Sequence, residues 1–174
     1  MKDIRIRPTE CADAAAIAEI YAQQVVHGTA TFEEVEPSVE EVQRRWEEIA
    51  RLELPYFVAE IEGAIAGYAY ASRFRARSSY RFTVEDSVYV AERFQRRGVA
   101  RLLLERLIEA CSDSGLREMI AVIGEPSVNI ASVALHRSMG FEEAGLLRGV
   151  GFKFGRRLDV LMMQRSLSPG ADDK

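Results

Sequence analysis

The chain of 174 residues is long enough for one domain and short for two. Apolar residues make up 48% and charged residues 29%, as in globular proteins generally, and the net charge of −4 excludes a global attraction to nucleic acid. We therefore predict no nucleic-acid partner. The two histidines and two cysteines form no HExxH or CxxC spacing, so we also predict no metal site.

The N-terminal segment MKDIRIRP lacks the apolar core of a secretion signal. No apolar run approaches the ~20 residues that span a bilayer. We therefore expect a cytoplasmic protein without a membrane partner. Cys11 and Cys111 each fall inside an apolar periodic segment and are predicted to be buried free thiols.

In chain order, DIRIRP alternates apolar and polar residues as a strand does, and Pro8 with Thr9 ends it before a helix. A second helix follows the loop VHGTATFEEVEPS. The apolar faces of these two helices carry Ile17, Ile20, Tyr21, Val25, Val39, Val42, Trp46 and Ile49. Phe32 lies in the loop between them and is predicted either to wall a substrate site or simply to close the core.

From PYFVAEIEG to AIAGYAYASRF the apolar period becomes two, and Glu62 with Gly63 predicts a tight hairpin turn. RFTVEDSVYV predicts a strand in the middle of the sheet. A helix over 97–114 ends at Gly115, REMIAVIG predicts a strand, and NIASVALHRSMG predicts a short helix capped by Asn129. FEEAGLLRGVGFKFG and RLDVLMMQRSL predict the two final strands.

The segment FQRRGVARLLLERL places two arginines and a glycine directly before an apolar helix. The first N–H groups of a helix have no internal partner, and the positive end of its dipole attracts phosphate. Gly98 would let a diphosphate approach the backbone, and Arg96, Arg97 and Arg101 would strengthen the positive field. Alternatively, Gly98 only makes a turn. The buried face of this helix is predicted to carry Val99, Leu102, Leu103, Arg106, Leu107 and Cys111.

The chain lacks two common phosphate-binding sequence motifs. It contains no GxxxxGK[ST] and no GxGxxG after a strand, which argues against a nucleoside triphosphate and a dinucleotide. Instead, SVYVAERFQRRGVARLLLERLIEA resembles the signature of the GNAT superfamily of acetyl-CoA-dependent N-acetyltransferases, in which a strand leads into a Q/RxxGxG/A loop and then a helix.

Four further stretches, GTATF, ARSSYRFTVEDSVYV, AVIGEPSVNIASVALHRSMGF and GFKFGRRLDV, resemble the phosphinothricin N-acetyltransferase family and its relatives that acetylate methionine sulfoximine and methionine sulfone. The resemblance implies one α/β (α+β) domain over 1–166. Its sheet would be mixed but mostly antiparallel and splayed near residue 88, with helices on both faces. A flexible tail would follow over 167–174.

The activity implied by the resemblance is transfer of an acetyl group from acetyl-CoA to the α-amine of a small amino-acid-like acceptor. The amine would attack directly, without a metal, and the enzyme would be a homodimer. Two other functions stay open: acetylation of a protein N-terminus or lysine, and a sensor that binds acyl-CoA without chemistry.

By the same resemblance, the main chain of residues 88–90 would pair with the pantetheine arm as an added strand would. Residues 96–101 would hold the pyrophosphate. Asn129 would contact the cofactor near the thioester end, would cap its helix, or would do both. The cofactor-binding residues so implied are Val88, Tyr89, Val90, Arg96, Arg97, Gly98, Val99, Ala100, Arg101, Asn129 and Ser132.

Glu85 and His136 are the predicted catalytic residues. Glu85 matches the carboxylate position of the family, and partial burial would raise its pKa toward that of a useful base; otherwise it is a solvated strand residue. His136 stands where many superfamily members carry a tyrosine. Its imidazolium would protonate the leaving thiolate, its neutral form would shuttle the amine's proton, or it is a packed structural histidine. Ser132 is four residues before it, on the same helical face.

An acceptor α-carboxylate would suit a guanidinium, which grips it with two parallel hydrogen bonds. Arg73, Arg75 and Arg77 alternate in SRFRARSSY and would share one face if the strand stays regular, although Arg73 is expected to be solvated. The acceptor-binding residues implied by the resemblance are Phe32, Arg75, Ala76, Arg77, Glu85, Asp86 and Ser87.

Overall fold

The computed structural model describes residues 3–167, so all of the predicted tail except Leu167 lies outside the described residues. The strands are Arg5–Pro8 (β1), Tyr56–Ile61 (β2), Ala64–Arg73 (β3), Thr83–Val90 (β4), Glu118–Gly124 (β5), Glu142–Lys153 (β6) and Arg156–Ser166 (β7). The α-helices are Ala14–His27 (α1), Val39–Arg51 (α2), Val99–Asp113 (α3) and Ile130–Ser138 (α4). No helix within residues 3–167 combines the length and apolar character that crossing a bilayer requires.

The strands form one sheet in the order β1-β2-β3-β4-β5-β7-β6, so β4 lies in the middle as predicted. Neighbouring strands are antiparallel except for the pair β4 and β5, which is parallel. The predicted turn between β2 and β3 has φ of 52° at Glu62 and 81° at Gly63, as a primed hairpin turn requires. The predicted mixed, mostly antiparallel sheet is confirmed.

The sheet splays at the end of β4. Residues 83–86 of β4 pair with β5, but residues 87–90 continue beside β3 alone within the described chain. β5 meanwhile pairs with β7 as far as Gly124. A gap therefore opens between β4 and β5 just after Asp86, which confirms the predicted splay near residue 88.

Helices cover both faces of the sheet. One core forms under α3, and a second forms under α1 and α2 around Tyr21 and Tyr68. The predicted face of α3 is wrong at Leu102, which is 37% exposed, and at Arg106, which is also exposed, whereas Leu104 is fully buried. Leu102 and Leu104 each lie about 100° around the helix from the buried Leu103, in opposite directions. The core that α3 covers lies on the side of Leu104.

The prediction for the two thiols is half right. Cys111 is buried, but Cys11 is exposed, and both are free. Cys11 begins a short 3-10 turn before α1, and Asp13 of that turn points inward because the Arg7 guanidinium donates to both of its carboxylate oxygens at 2.7 and 2.8 Å. The inward carboxylate leaves Cys11 on the outer side of the turn.

Candidate active site

A groove of about 460 Å³ runs along the free end of β4, the loop before α3, and α4. It is the space left by the separation of β4 from β5. The predicted cofactor residues that line it are Val88, Tyr89, Val90, Arg96, Gly98, Val99, Ala100, Arg101, Asn129 and Ser132. Arg97 is the exception; its guanidinium carbon lies over the ring of Phe94, 5.5 Å from the ring centroid.

The loop before α3 presents backbone N–H groups to this groove. Gly98 has a φ of 84°, with open space around the position of a side chain, so its backbone conformation rather than crowding favours glycine. No side chain within residues 3–167 caps α3, and its first internal bond runs from the N–H of Leu102 to the carbonyl of Gly98. The N–H groups of residues 99–101 remain for a ligand, at the positive end of the helix dipole. This end of the groove suits a diphosphate.

A second cavity, of about 330 Å³, lies on the other side of the same gap and is called here the acceptor cavity. Its wall includes Phe32, Glu85, Asp86 and Ser87, four of the predicted acceptor residues. The residues common to the cavity and the groove are Ala30, Val88, Tyr89, Asn129, Ser132 and His136. A ligand lying in the groove would therefore meet the contents of the cavity at this shared wall.

The predicted alternation of Arg73, Arg75 and Arg77 on one strand face is wrong. β3 ends at Arg73, and the chain continues through a loop to a 3-10 turn over 78–80. Arg75, Ala76 and Arg77 are exposed and do not line the acceptor cavity. Arg75 is nevertheless close enough for its charge to act on Glu85, whose pKa it lowers.

Glu85 is half-buried in β4 beside the acceptor cavity. Burial raises the pKa of its carboxyl above the usual value, the neighbouring Asp86 raises it further, and Arg75 opposes both. Desolvation and a like charge both disfavour the ionised form. Glu85 is thus a carboxylate with enhanced basicity that faces a small cavity.

His136 and Asp86 form a buried pair that the sequence did not reveal. The imidazole Nε2 lies 3.0 Å from Oδ2 of Asp86, and Nδ1 lies 2.7 Å from the carbonyl oxygen of Ser132. Both ring nitrogens face acceptors, and Nδ1 also lies 3.4 Å from the Ser132 hydroxyl, so the two acceptor contacts favour a doubly protonated ring. Burial lowers the pKa of His136, but the hydrogen bond and charge of Asp86 and the Ser132 carbonyl outweigh it, and the pKa is raised.

The contact with the Ser132 carbonyl is the one expected of a packed structural histidine, although the ring also lines both the groove and the acceptor cavity. The contact with Asp86 favours the imidazolium over the neutral ring that a proton shuttle needs. The other oxygen of Asp86, Oδ1, is buried and has no hydrogen-bond partner among the described residues. The ring also meets Phe141 edge to face, with centroids 5.0 Å apart.

The predicted capping role of Asn129 is wrong. Asn129 holds the N-cap position of α4, but its side chain makes no capping bond. Instead its amide donates to Thr29 Oγ1 at 3.0 Å and to the Gly124 carbonyl at 2.6 Å. Asn129 therefore ties the start of α4 to the loop after α1 and to the end of β5.

Tyr21 and Tyr70 also line the acceptor cavity, and sequence reasoning did not assign them to the site. Tyr70 lies opposite Ser87 in the register of β3 and β4. Burial raises the pKa of Tyr70. The period-two pattern could have placed Tyr70 on the same sheet face as Glu85, had the pairing of the two strands been known.

Comparison with known proteins agrees with this site. The family model described as an acetyltransferase (GNAT) domain matches residues 6–162. Phosphinothricin N-acetyltransferase of Alcaligenes faecalis is 49% identical over 91% of this chain and 80% of its own length. The L-methionine sulfoximine/L-methionine sulfone acetyltransferase of Salmonella typhimurium is 39% identical, with 95% and 96% covered.

Among solved structures, a phosphinothricin acetyltransferase from Sinorhizobium meliloti in complex with acetyl-CoA superposes with a TM-score of 0.94. It is 45% identical, and the match covers 98% of this chain and 92% of that one. The family match spans the splayed part of the sheet, the loop before α3, and the residues that line the groove and the acceptor cavity. The chain therefore belongs to the GNAT family and is an acetyltransferase.

Proposed function

We propose that the protein transfers an acetyl group from acetyl-CoA to the α-amine of a small amino-acid-like acceptor, of the phosphinothricin, methionine sulfoximine or methionine sulfone type. One observation carries the proposal: the basic carboxylate of Glu85 lines a cavity of about 330 Å³ that shares a wall with the groove. The cavity suits a single amino acid more than an extended peptide. The names of the relatives support the same acceptor class.

The groove provides the two features that acetyl-CoA needs. The uncapped start of α3, with Arg96 and Arg101 beside it, suits the pyrophosphate. The free edge of residues 87–90 suits the pantetheine arm, whose amides can pair as a strand would. When bound there, acetyl-CoA supplies the acetyl group as a thioester at the wall that the groove and the cavity share.

Glu85 acts as the general base. It takes a proton from the acceptor's ammonium, and the freed amine forms a C–N bond to the thioester carbonyl carbon while the C–S bond breaks. The second proton lost by the nitrogen ends on the departing thiolate, so the products are the amide and the CoA thiol, and Glu85 returns its own proton to solvent. His136 lies at the shared wall, but its ring nitrogens are engaged with Asp86 and the Ser132 carbonyl, so we propose that it positions α4 beside the thioester rather than protonating the thiolate. No cysteine lines the acceptor cavity in the described chain, and burial and the Asp86 charge raise the pKa of Cys111 to about 12. Direct attack by the amine therefore needs no thiol nucleophile.

Arg75 and Arg77 are proposed to hold the acceptor's α-carboxylate from outside the cavity. Both side chains are exposed on the segment after β3, and the charge of Arg75 reaches Glu85. An acceptor bridging Arg75 and Glu85 would present its carboxylate to the cation and its ammonium to the carboxylate. That charge arrangement matches a zwitterionic amino acid.

We further propose that the enzyme is a cytoplasmic homodimer. β6 is an edge strand of the sheet, and its outer surface exposes the apolar side chains of Leu146, Leu147 and Val150. Apolar surface of this kind on a sheet edge favours pairing with a second copy. The free thiols Cys11 and Cys111 are consistent with a reducing compartment.

Thiol release from acetyl-CoA by the purified protein tests the function. The acceptors are phosphinothricin, methionine sulfoximine, methionine sulfone, the twenty amino acids and short peptides, beside a Glu85→Gln variant. We expect fast turnover of one of the first three and its loss in the variant. Activity confined to peptides would overturn the acceptor class, and bound CoA without turnover of any amine would indicate a sensor.

A further inference from the structure

Lys153 is a buried cation at the tip of the hairpin formed by β6 and β7, where it is 1% exposed. Its ammonium donates to the main-chain carbonyls of Gln24 at 3.2 Å, Gly28 at 2.9 Å and Thr31 at 2.8 Å. An ammonium has three N–H groups, so one short segment satisfies all of them. Gln24 lies in the last turn of α1, where the helix dipole is negative. The cation therefore stabilises both the end of α1 and the loop that leaves it.

The same hairpin also makes room for the ring of Phe32. A Cβ atom at Gly151 of β6 would lie 2.1 Å from Cε2 of Phe32, and one at Gly124 would lie 2.7 Å from Cε1. Carbon atoms in contact are about 3.5–4.0 Å apart, so the ring occupies space that any other residue would fill. Gly145 lies on the same strand but is not crowded, since no heavy atom lies within 4 Å of the position of its Cβ atom.

The segment held by these contacts is a wall of the acceptor cavity. Ala30, Thr31 and Phe32 all line that cavity, whereas Gly151 and Lys153 do not. The hydroxyl of Thr31 lies 2.7 Å from that of Tyr21, a further lining residue. The hairpin thus fixes the backbone of the wall through Lys153 and the position of its aromatic ring through Gly151.

We propose that Lys153 and Gly151 are positioning residues that hold segment 28–32 so that Phe32 closes the acceptor cavity, and that they thereby set the length of the acceptor side chain that fits. The kinetic consequence rests on the proposed acetyl transfer. A methyl group at Gly151 would push the Phe32 ring away from β6 and toward the cavity. The KM for acceptors with longer side chains would then rise more than the KM for shorter ones.

The first test is a double-mutant cycle with Gly151→Ala and Phe32→Ala, in which KM is measured for methionine sulfone and for alanine. We expect Gly151→Ala to raise the KM for methionine sulfone on the order of tenfold, with a smaller change for alanine and none for acetyl-CoA. In the Phe32→Ala background the same substitution should have no effect on acceptor KM. Gly145→Ala is the matched control. An effect of Gly151→Ala that persists without Phe32, or that extends equally to acetyl-CoA, would overturn the proposal.

The second test does not depend on activity. Hydrogen exchange of Lys153→Met is compared with that of wild type and of Arg157→Met, which removes an exposed cation from the same hairpin. We expect faster exchange at amides 28–32 and at the end of α1 in Lys153→Met alone. Unchanged exchange there would refute the role of Lys153. If the wild type acetylates no acceptor, the proposed function fails, but this measurement still decides whether Lys153 holds the segment.

Discussion

The imidazolium of His136 lies 3.0 Å from the carboxylate of Asp86, and both side chains are buried. The contact joins α4 to the last residue of β4 that pairs with β5. It therefore closes the narrow end of the gap in which the groove and the acceptor cavity meet. Removing either charge would leave the other buried and unpaired, which would lower the free energy of unfolding.

The first prediction concerns the pH dependence of stability. The pKa of His136 in the folded chain lies above its ordinary value of 6.5, so its contribution is fully present below about pH 6.5 and is lost as the pH rises through the folded pKa. Asp86→Asn should lower that pKa and reduce the free energy of unfolding at pH 6 by about 1.5–3 kcal/mol. Urea unfolding between pH 6 and 9 and the NMR titration of the ring measure both effects.

Asp113→Asn provides the control, because Asp113 is exposed at the end of α3. It should change the free energy of unfolding by no more than about 0.5 kcal/mol at any pH in this range. If His136 titrates at the same pH in wild type and Asp86→Asn, the ring is not held as an imidazolium by this carboxylate.

The second prediction concerns Glu85. Glu85→Gln should lower kcat by about 10²–10⁴-fold, the usual contribution of a general base, while acetyl-CoA binds as before. In wild type the rate should rise with pH through the pKa of Glu85, which burial and Asp86 hold above the ordinary 4.5. Asp86→Asn removes the like charge, so the acidic limb of the pH–rate profile should move to lower pH.

Exposed Glu19 on α1 supplies the matched control, since Glu19→Gln makes the same chemical change far from the cavity. Its kcat and its pH–rate profile should equal those of wild type. A Glu85→Gln enzyme that keeps its full rate would show that another group accepts the proton.

Hydrophobic period and turn chemistry were sufficient to predict most of the strands and the loop before α3, whereas the antiparallel, splayed sheet was implied by the family resemblance. The sequence could not reveal contacts made by distant segments, such as the pairing of Asp86 with His136. GFKFG shows why: Phe152 and Phe154 are 64% and 52% exposed, whereas Lys153 between them is buried. Three carbonyls from the last turn of α1 and the loop after it accept from the ammonium and make its burial favourable there. Arg75 and Arg77 were misplaced for a related reason, since the end of β3 is not marked in SRFRARSSY.

The third prediction concerns the diphosphate site. Gly98→Ala should weaken CoA binding on the order of tenfold, about 1.4 kcal/mol, because a Cβ would stand where the phosphate approaches the backbone. It should also destabilise the fold by about 1–2 kcal/mol, since φ is 84° at Gly98. Gly115→Ala, at the other end of α3, is a matched control with φ of 76° and equally open surroundings. Calorimetric titration with CoA should show weaker binding in Gly98→Ala alone; equal affinities in the two variants would place the phosphates elsewhere.

The last prediction concerns the homodimer. Leu146 and Val150 are 45% and 59% exposed on the edge strand β6, and a charge at either position would be buried without a partner in the proposed interface. Leu146→Glu and Val150→Glu should therefore convert a species of twice the chain mass of 19.5 kDa into one of that mass. Light scattering after size exclusion measures the mass directly. Val35→Glu is the control, because Val35 is 80% exposed in the loop before α2. A wild-type protein that is monomeric at micromolar concentration, or β6 variants that remain dimeric, would contradict the assignment of this edge as the interface.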